Sequence, residues 1–296
     1  MVVRVILLGT AAGGGFPQWN CACALCTAAR DGKLPSRSQE CVAVTGNGRD
    51  WWLLNASPDI RTQLAANAPL WPGPGPRDSP VRGVLLTDAE ADHAMGLGVL
   101  RGGSALKVYA GPPVLAALAP LRAALGRYTG WEWADALTDG GFVLAGGLVV
   151  TAHPVGAKAP RYLPGAAADA PWVIAYRIED LATGRVLVYA PCVGAWSPVL
   201  DELLETADCA LLDGTFHAAD EMGAAVRAPA GQAAMGHLPV AGAHGSLRQL
   251  ARHPGPRRIY THLNNTNPLL DPASTARRQV AEAGVEVLVD GAEFVV

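Results

Sequence analysis

The chain has 296 residues, half of them hydrophobic and 17% charged, with a net charge of −3. That length and composition support a large buried core, and the charge balance gives no basis for a nucleic-acid or anionic-membrane partner. No stretch approaches the roughly 20 apolar residues needed to span a bilayer.

The elements follow in chain order. Residues 2–8 read as a first strand, because a secretory signal needs a longer apolar stretch and a small-residue cleavage site. The expected location is therefore the cytoplasm, where the six cysteines serve as metal ligands or buried thiols rather than disulfides. Residues 41–45, 51–55, 81–87 and 107–110 are the next strands. Residues 112–125 read as one helix, opened by proline and followed by Gly126. Residues 142–144 and 148–151 form a hairpin around Gly146-Gly147, and residues 172–178 and 185–190 pair around Thr183-Gly184. Strands at 209–212 and 258–261, a helix at 274–283 and a strand at 285–289 complete the pattern. The segment 69–80, with five prolines, is a surface loop rather than a linker. Paired strands first and strands interleaved with helices later predict an α/β sandwich, with helices outside two sheets, as a single domain over residues 1–296.

Cys21, Cys23 and Cys26 place three thiols within six residues. Three thiolates at this spacing converge on one tetrahedral ion, and soft sulfur favours zinc. The alternative is a set of buried free thiols. A structural zinc needs a fourth donor from a distant segment, for which Cys41 is a candidate; Cys192 and Cys209 read as small buried apolar groups. The glycine-rich run Gly9–Gly15 before the cysteines lacks the lysine that ends a phosphate-binding loop.

The strand at 81–87 ends in Thr87-Asp88-Ala89-Glu90-Ala91-Asp92-His93. A charged cluster directly after an apolar strand is costly unless it is solvated or binds something; the plainer reading is a helix start with acids at its dipole. Two other strands end in polar turns, Asp213-Gly214-Thr215 and His262-Leu263-Asn264-Asn265-Thr266-Asn267. His237 reads as structural or as a support to a ligand.

The loop from Thr87 to Gly96 resembles the metal-binding loop of the metallo-β-lactamase superfamily, Thr-His-x-His-x-Asp-His-x-x-Gly. Thr87, Asp92, His93 and Gly96 match, while Asp88 and Glu90 stand where the two leading histidines belong. The resemblance implies an αββα sandwich of two mixed sheets with outer helices. It also implies that the first metal's ligands are missing, whereas Asp92, His93 and His262 keep the second site. The superfamily's bridging aspartate falls near Ala190-Pro191-Cys192, which has no carboxylate. Longer stretches, among them residues 9–21 and 55–61, Met235-Gly236-His237 and residues 261–268, resemble the pyrroloquinoline quinone (PQQ) biosynthesis B family within that superfamily. The cysteine triplet is similar to that of a phosphodiesterase branch in which a histidine completes the zinc; Asn265 holds that position here.

The resemblance implies a PQQ-pathway enzyme: a non-haem iron(II), dioxygen-using hydroxylase of the tyrosine ring in a cross-linked Glu-Tyr precursor. Two imidazoles and a carboxylate with open positions suit iron(II). Asp92, His93 and His262 then hold iron, with Glu90 or Asp88 completing the shell or accepting a hydrogen bond from a ligating imidazole. Cys21, Cys23 and Cys26, with Asn265 as fourth candidate, hold zinc. Arg61 and Arg101 are the candidates for binding substrate carboxylates, Asp213 and His237 for supporting or proton-relay roles, and Phe16 and Trp19 for walling the site, with core packing favoured for Trp19. Two other classes remain. A carrier assisting transport of PQQ or its precursor to the periplasm needs no open metal, and a zinc hydrolase needs two active-site metals. Partnership with other pathway proteins and self-association stay open at this stage.

Overall fold

The computed structural model describes residues 2–128, 130–167, 169–222 and 232–296. Among these residues the first sheet contains β1 (Arg4–Gly9), β2 (Cys41–Thr45), β3 (Trp51–Leu54), β4 (Val81–Leu85), β5 (Lys107–Ala110), β6 (Glu132–Asp135) and β14 (Glu293–Val295). Their order is β14-β1-β2-β3-β4-β5-β6. The second contains β7 (Phe142–Leu144), β8 (Leu148–Gly156), β9 (Val173–Asp180), β10 (Val186–Ala190), β11 (Cys209–Asp213), β12 (Arg257–Thr261) and β13 (Val285–Val287), in the order β13-β12-β11-β10-β9-β8-β7. Each sheet is antiparallel on one side and parallel on the other, the parallel runs being β3 to β6 and β10 to β13.

Side-chain alternation sorts the residues into layers. In β1, Val5 and Leu7 face the second sheet, while Ile6 and Leu8 face the outer helices. In β10, Leu187 and Tyr189 point inward, and Val186, Val188 and Ala190 point outward. Because both faces are covered, the strands are continuous hydrophobic runs. Outside the first sheet lie α2 (Ile60–Ala66), α4 (Pro112–Ala117) and α5 (Ala119–Leu125); outside the second lie α6 (Pro198–Glu205), α7 (Ser246–Leu250) and α8 (Thr275–Glu282). This is the αββα sandwich. Two short helices, α1 (Ala24–Arg30) and α3 (Ala91–Ala94), adjoin the candidate sites. No described helix is long and apolar enough to cross a membrane.

Several elements depart from the sequence reading. The helix expected over residues 112–125 breaks at Leu118. Pro120 lacks an N–H and disfavours helical geometry in the residue before it, so the chain restarts as a second helix. Residues 95–102 form a 3-10 helix after α3. Strand β8 runs on to Gly156, past a bulge that accommodates Pro154. Strands β6 and β14, with helices α1, α2, α6 and α7, carry signals too short to stand out by periodicity.

Candidate metal centres

The carboxyl ends of the parallel strands form a common rim, where open α/β sheets usually place their ligands. Beyond β4 come Thr87, Asp88, Glu90 and then α3 with Asp92 and His93. Beyond β10 comes Cys192; β11 ends at Asp213, followed by Thr215; beyond β12 comes His262. Of these, Asp88, Glu90, Asp92, His93, Cys192, Thr215 and His262 surround a cavity of about 210 Å³ that Lys158, Arg161, Val173, Phe216 and His237 also line. His262 has φ +59°, in the left-handed region. A non-glycine residue there carries roughly 1–3 kcal/mol of strain, which is common where function fixes a side chain.

Each imidazole is oriented through Nδ1. His93 Nδ1 lies 2.8 and 3.0 Å from the two oxygens of Asp88 and donates to them. His237 Nδ1 donates to Asp213 Oδ2 at 2.7 Å. The Thr215 hydroxyl gives its single proton to Asp213 Oδ1 at 2.7 Å, so it accepts from His262 Nδ1 at 2.7 Å. That tautomer leaves the His262 Nε2 lone pair facing Asp92 Oδ2 at 3.3 Å. Two lone pairs at that separation repel unless a cation lies between them. His93 Nε2 is fully buried and has no partner.

The electrostatics lead to the same conclusion. Burial opposes ionisation of Asp88 and Asp92, but the neighbouring imidazoles hold both carboxyls well below their usual range. Asp213 is likewise depressed, its burial outweighed by His237. Burial lowers His93, yet Asp88 and Asp92 raise it further, so without metal it holds a proton on Nε2 that nothing accepts. Burial lowers His262 and keeps it neutral. Asp88 and Asp92, two buried carboxylates, face the one imidazolium of His93, and a divalent ion taking the place of that proton would balance them. The donor set therefore fits a metal. The glycine-rich run closes over this site: a side chain at Gly13 would come within 3.0 Å of Asp92 Oδ2, and Ala12 N donates to Leu263 O beside His262.

Below His93 a buried polar chain runs between the sheets. Thr87 Oγ1 donates to Asp88 Oδ2 at 2.8 Å, Asn55 Nδ2 lies 3.1 Å from Thr87 Oγ1 and 3.0 Å from the Tyr189 hydroxyl, and Tyr189 donates to Glu40 Oε2 at 2.5 Å. Glu40 is wholly buried with Oε1 unpartnered, and burial pushes its carboxyl up to about 7, against the pull of His93.

The second cluster is local. The sulfurs of Cys21, Cys23 and Cys26 lie within 4.8 Å of one another. Backbone N–H groups of Cys23 and Cys26 donate to Sγ of Cys21 and Cys23, each at 3.4 Å, and the second of these caps α1. The Asn265 amide nitrogen sits 3.1 Å from Cys21 Sγ, 3.4 Å from Cys26 Sγ and 3.9 Å from Cys23 Sγ. Its carboxamide thus covers the open face of the three sulfurs, and the same group turned over presents Oδ1 as an oxygen donor there.

The structure thus gathers His93 and His262 at the cavity, with Asp92 3.3 Å from His262, places Asp213, His237 and His262 in a neighbouring group, and separately brings together Cys21, Cys23, Cys26 and Asn265. Of the two roles open to Asp88, it takes the hydrogen bond from the His93 imidazole. Other expectations are corrected. Glu90 is paired with Lys158. Arg61 and Arg101 are exposed and do not line the cavity; Lys158 and Arg161 do. Cys41 donates to Asn55 O at 3.2 Å and is no part of the cysteine cluster. Phe16 packs in the core, and Trp19, 85% exposed, neither packs in the core nor walls the site; Phe216 takes the wall position. Cys192, read as a core thiol, faces His93 and His262. Lys158 and Arg161 carried no sequence signal, because a loop cation acquires meaning only from what it faces.

The two-sheet sandwich with a ligand-bearing rim is the architecture of the β-lactamase superfamily, and the profile of the "Beta-lactamase superfamily domain" matches residues 50–263. A diphosphatase of the PhnP family shares the fold, with a TM-score of 0.70 at 17% identity, covering 100% of this chain and 98% of that one. Coenzyme PQQ synthesis protein B of Methylococcus capsulatus is 42% identical, over 100% of both chains, and that of Azoarcus sp. is 40% identical over 98% of each. The crystal structure of zinc-bound PqqB from Methylobacterium extorquens superposes with a TM-score of 0.91 at 36% identity, covering 99% of this chain and 100% of that one. The chain belongs to the coenzyme PQQ synthesis protein B family.

Proposed function

We propose that this chain, a member of a PQQ-synthesis family, is a non-haem iron(II) hydroxylase acting on the tyrosine ring of a cross-linked Glu-Tyr precursor of PQQ. One observation carries the reading: His93 Nε2, buried and unpartnered, faces a cavity shared with Asp92 and His262. Two imidazoles and one carboxylate with room beside them suit a mononuclear oxidising site, and the two leading histidines of a dinuclear hydrolase are replaced by Asp88 and Glu90. Iron(II) held there supplies oxidising chemistry with dioxygen. The other roles belong to the chain itself. Asp88 fixes His93 through Nδ1, and the Thr215–Asp213 pair fixes His262. Lys158 and Arg161 are cations for the substrate's carboxylates. Val173 and Phe216 give the aromatic ring an apolar wall and exclude water, and His237, pinned at Nδ1, takes up a proton at Nε2. In this reading zinc occupies the sulfurs of Cys21, Cys23 and Cys26, with Asn265 at the fourth corner. The protein works in the cytoplasm as one domain on a small-molecule substrate.

The test is anaerobic reconstitution with iron(II), then isotope-labelled dioxygen and the cross-linked diamino acid, with the product read by mass spectrometry. Label in the ring with iron and intact His93, and none after His93→Ala or zinc loading, is the expected result. No label in any sample, with PQQ bound equally well by wild type and His93→Ala, overturns the reading in favour of a carrier.

A further inference from the structure

We propose that the thiol of Cys192 is a fourth protein ligand to the metal held by Asp92, His93 and His262. The proposal rests on the metal site described above, not on the reaction carried out there. Cys192 leaves the sheet just beyond β10, in the parallel run whose next members are β11 and β12. Its sulfur therefore reaches the same rim as Asp213 and His262. Sγ of Cys192 and a ring nitrogen each of His93 and His262 lie within 4.8 Å of one another. Metal–sulfur and metal–nitrogen bonds of about 2.3 and 2.1 Å keep donors of one ion within about 4.4 Å of each other. Small side-chain rotations bring this trio into that range.

A buried cysteine ordinarily acts as a small apolar group, and Cys192 does adjoin the outer core of the first sheet. Packing alone does not explain its other side. There the sulfur lines the cavity between two imidazoles, one of which carries the unpartnered, fully buried Nε2 of His93. No hydrogen bond within the described residues occupies the Cys192 sulfur. Metal binding displaces the thiol proton to solvent and leaves a thiolate on the ion.

The consequence is a choice between metals. A tetrahedral zinc bound by Asp92, His93, His262 and Cys192 has every position filled by protein, like a structural site. A six-coordinate ion with the same four ligands keeps two positions open for substrate or dioxygen. Zinc then occupies the site inertly, whereas iron(II) leaves it reactive.

The experiment is NMR of isotopically enriched cadmium bound to the full chain, which needs no turnover and separates the two metal centres in one spectrum. Wild type should show two resonances: one from the cysteine cluster, strongly deshielded by three thiolates, and one from the cavity, deshielded by a single thiolate. In Cys192→Ala and Cys192→Ser the first resonance should stay in place, which also reports that the fold is intact. The second should move towards the shielded range of nitrogen and oxygen ligands, and cadmium affinity there should fall at least about 10-fold. A second resonance unchanged in both variants overturns the role of Cys192 and leaves the site standing. A wild-type spectrum without any second resonance overturns both.

Discussion

The cysteine cluster and the cavity site are built in opposite ways, although they lie on either side of one turn. Three of the four groups at the first come from six consecutive residues, held by their own backbone N–H groups and the start of α1. The second draws on the ends of β4, β10 and β12, hence on both sheets, and its imidazoles depend on Asp88, Thr215 and Asp213 for orientation. The turn after β12 joins them: His262 faces the cavity, and Asn265, three residues on, covers the sulfurs. A site made from one segment is fixed by spacing. A site made from several strand ends is fixed only as well as the sheets are packed.

Removing a ligand from either side breaks the comparison most sharply. His93→Ala should release the cavity metal and lower turnover by at least about 100-fold, since even groups behind the ligands are worth about 10–100-fold. Metal analysis should show one ion per chain lost and the cysteine-bound ion retained; loss of both would mean that the two sites are not independent. Cys26→Ala should do the reverse. Free metal at about a thousand times its Kd contributes about 4 kcal/mol to stability, so thermal unfolding should shift down while the cavity still binds metal. An unchanged melting temperature and zinc content would exclude a structural ion at the cysteines.

Smaller changes sharpen the contrast. Asp88→Asn keeps an acceptor for His93 Nδ1 but removes the charge, and should weaken cavity metal about 10–100-fold in a chelator competition; an unaltered affinity would show that Asp88 does not support His93. Glu40→Gln probes the buried chain beneath the cavity, which has no counterpart at the cysteines. Burial raises the Glu40 carboxyl from 4.5 to about 7 in the folded state. Its contribution to stability is therefore full below the unfolded value and is lost as pH rises through about 7. Glutamine stays neutral, so the variant's stability should be flatter across that window, by about 1–3 kcal/mol in denaturant titrations. A wild-type profile already flat there would show that Glu40 does not titrate on folding.

Much of the fold was legible because strands buried on both faces must be hydrophobic throughout, as in residues 41–45 and 209–212. The missed elements had no such mark. Strand β6, Glu132-Trp133-Ala134-Asp135, is a partly exposed edge strand, and α1 begins inside the cysteine motif. The candidate ligands Asp92, His93 and His262 stood out at strand ends beside a familiar motif. Lys158, Arg161 and Thr215 did not, since an isolated cation or hydroxyl has no periodicity to betray it.

By itself the sequence determined the layered α/β class, the placing of three thiols within six residues, and the presence of a carboxylate–histidine pair after a buried strand. Each of these depends on spacing along a few residues. Only the tertiary structure decided that Asp88 orients the His93 imidazole, that Cys192 faces the cavity, that Lys158 and Arg161 rather than Arg61 and Arg101 line it, and that Asn265 closes the cysteine face. Those assignments depend on which strand ends meet across two packed sheets, and no local spacing records that.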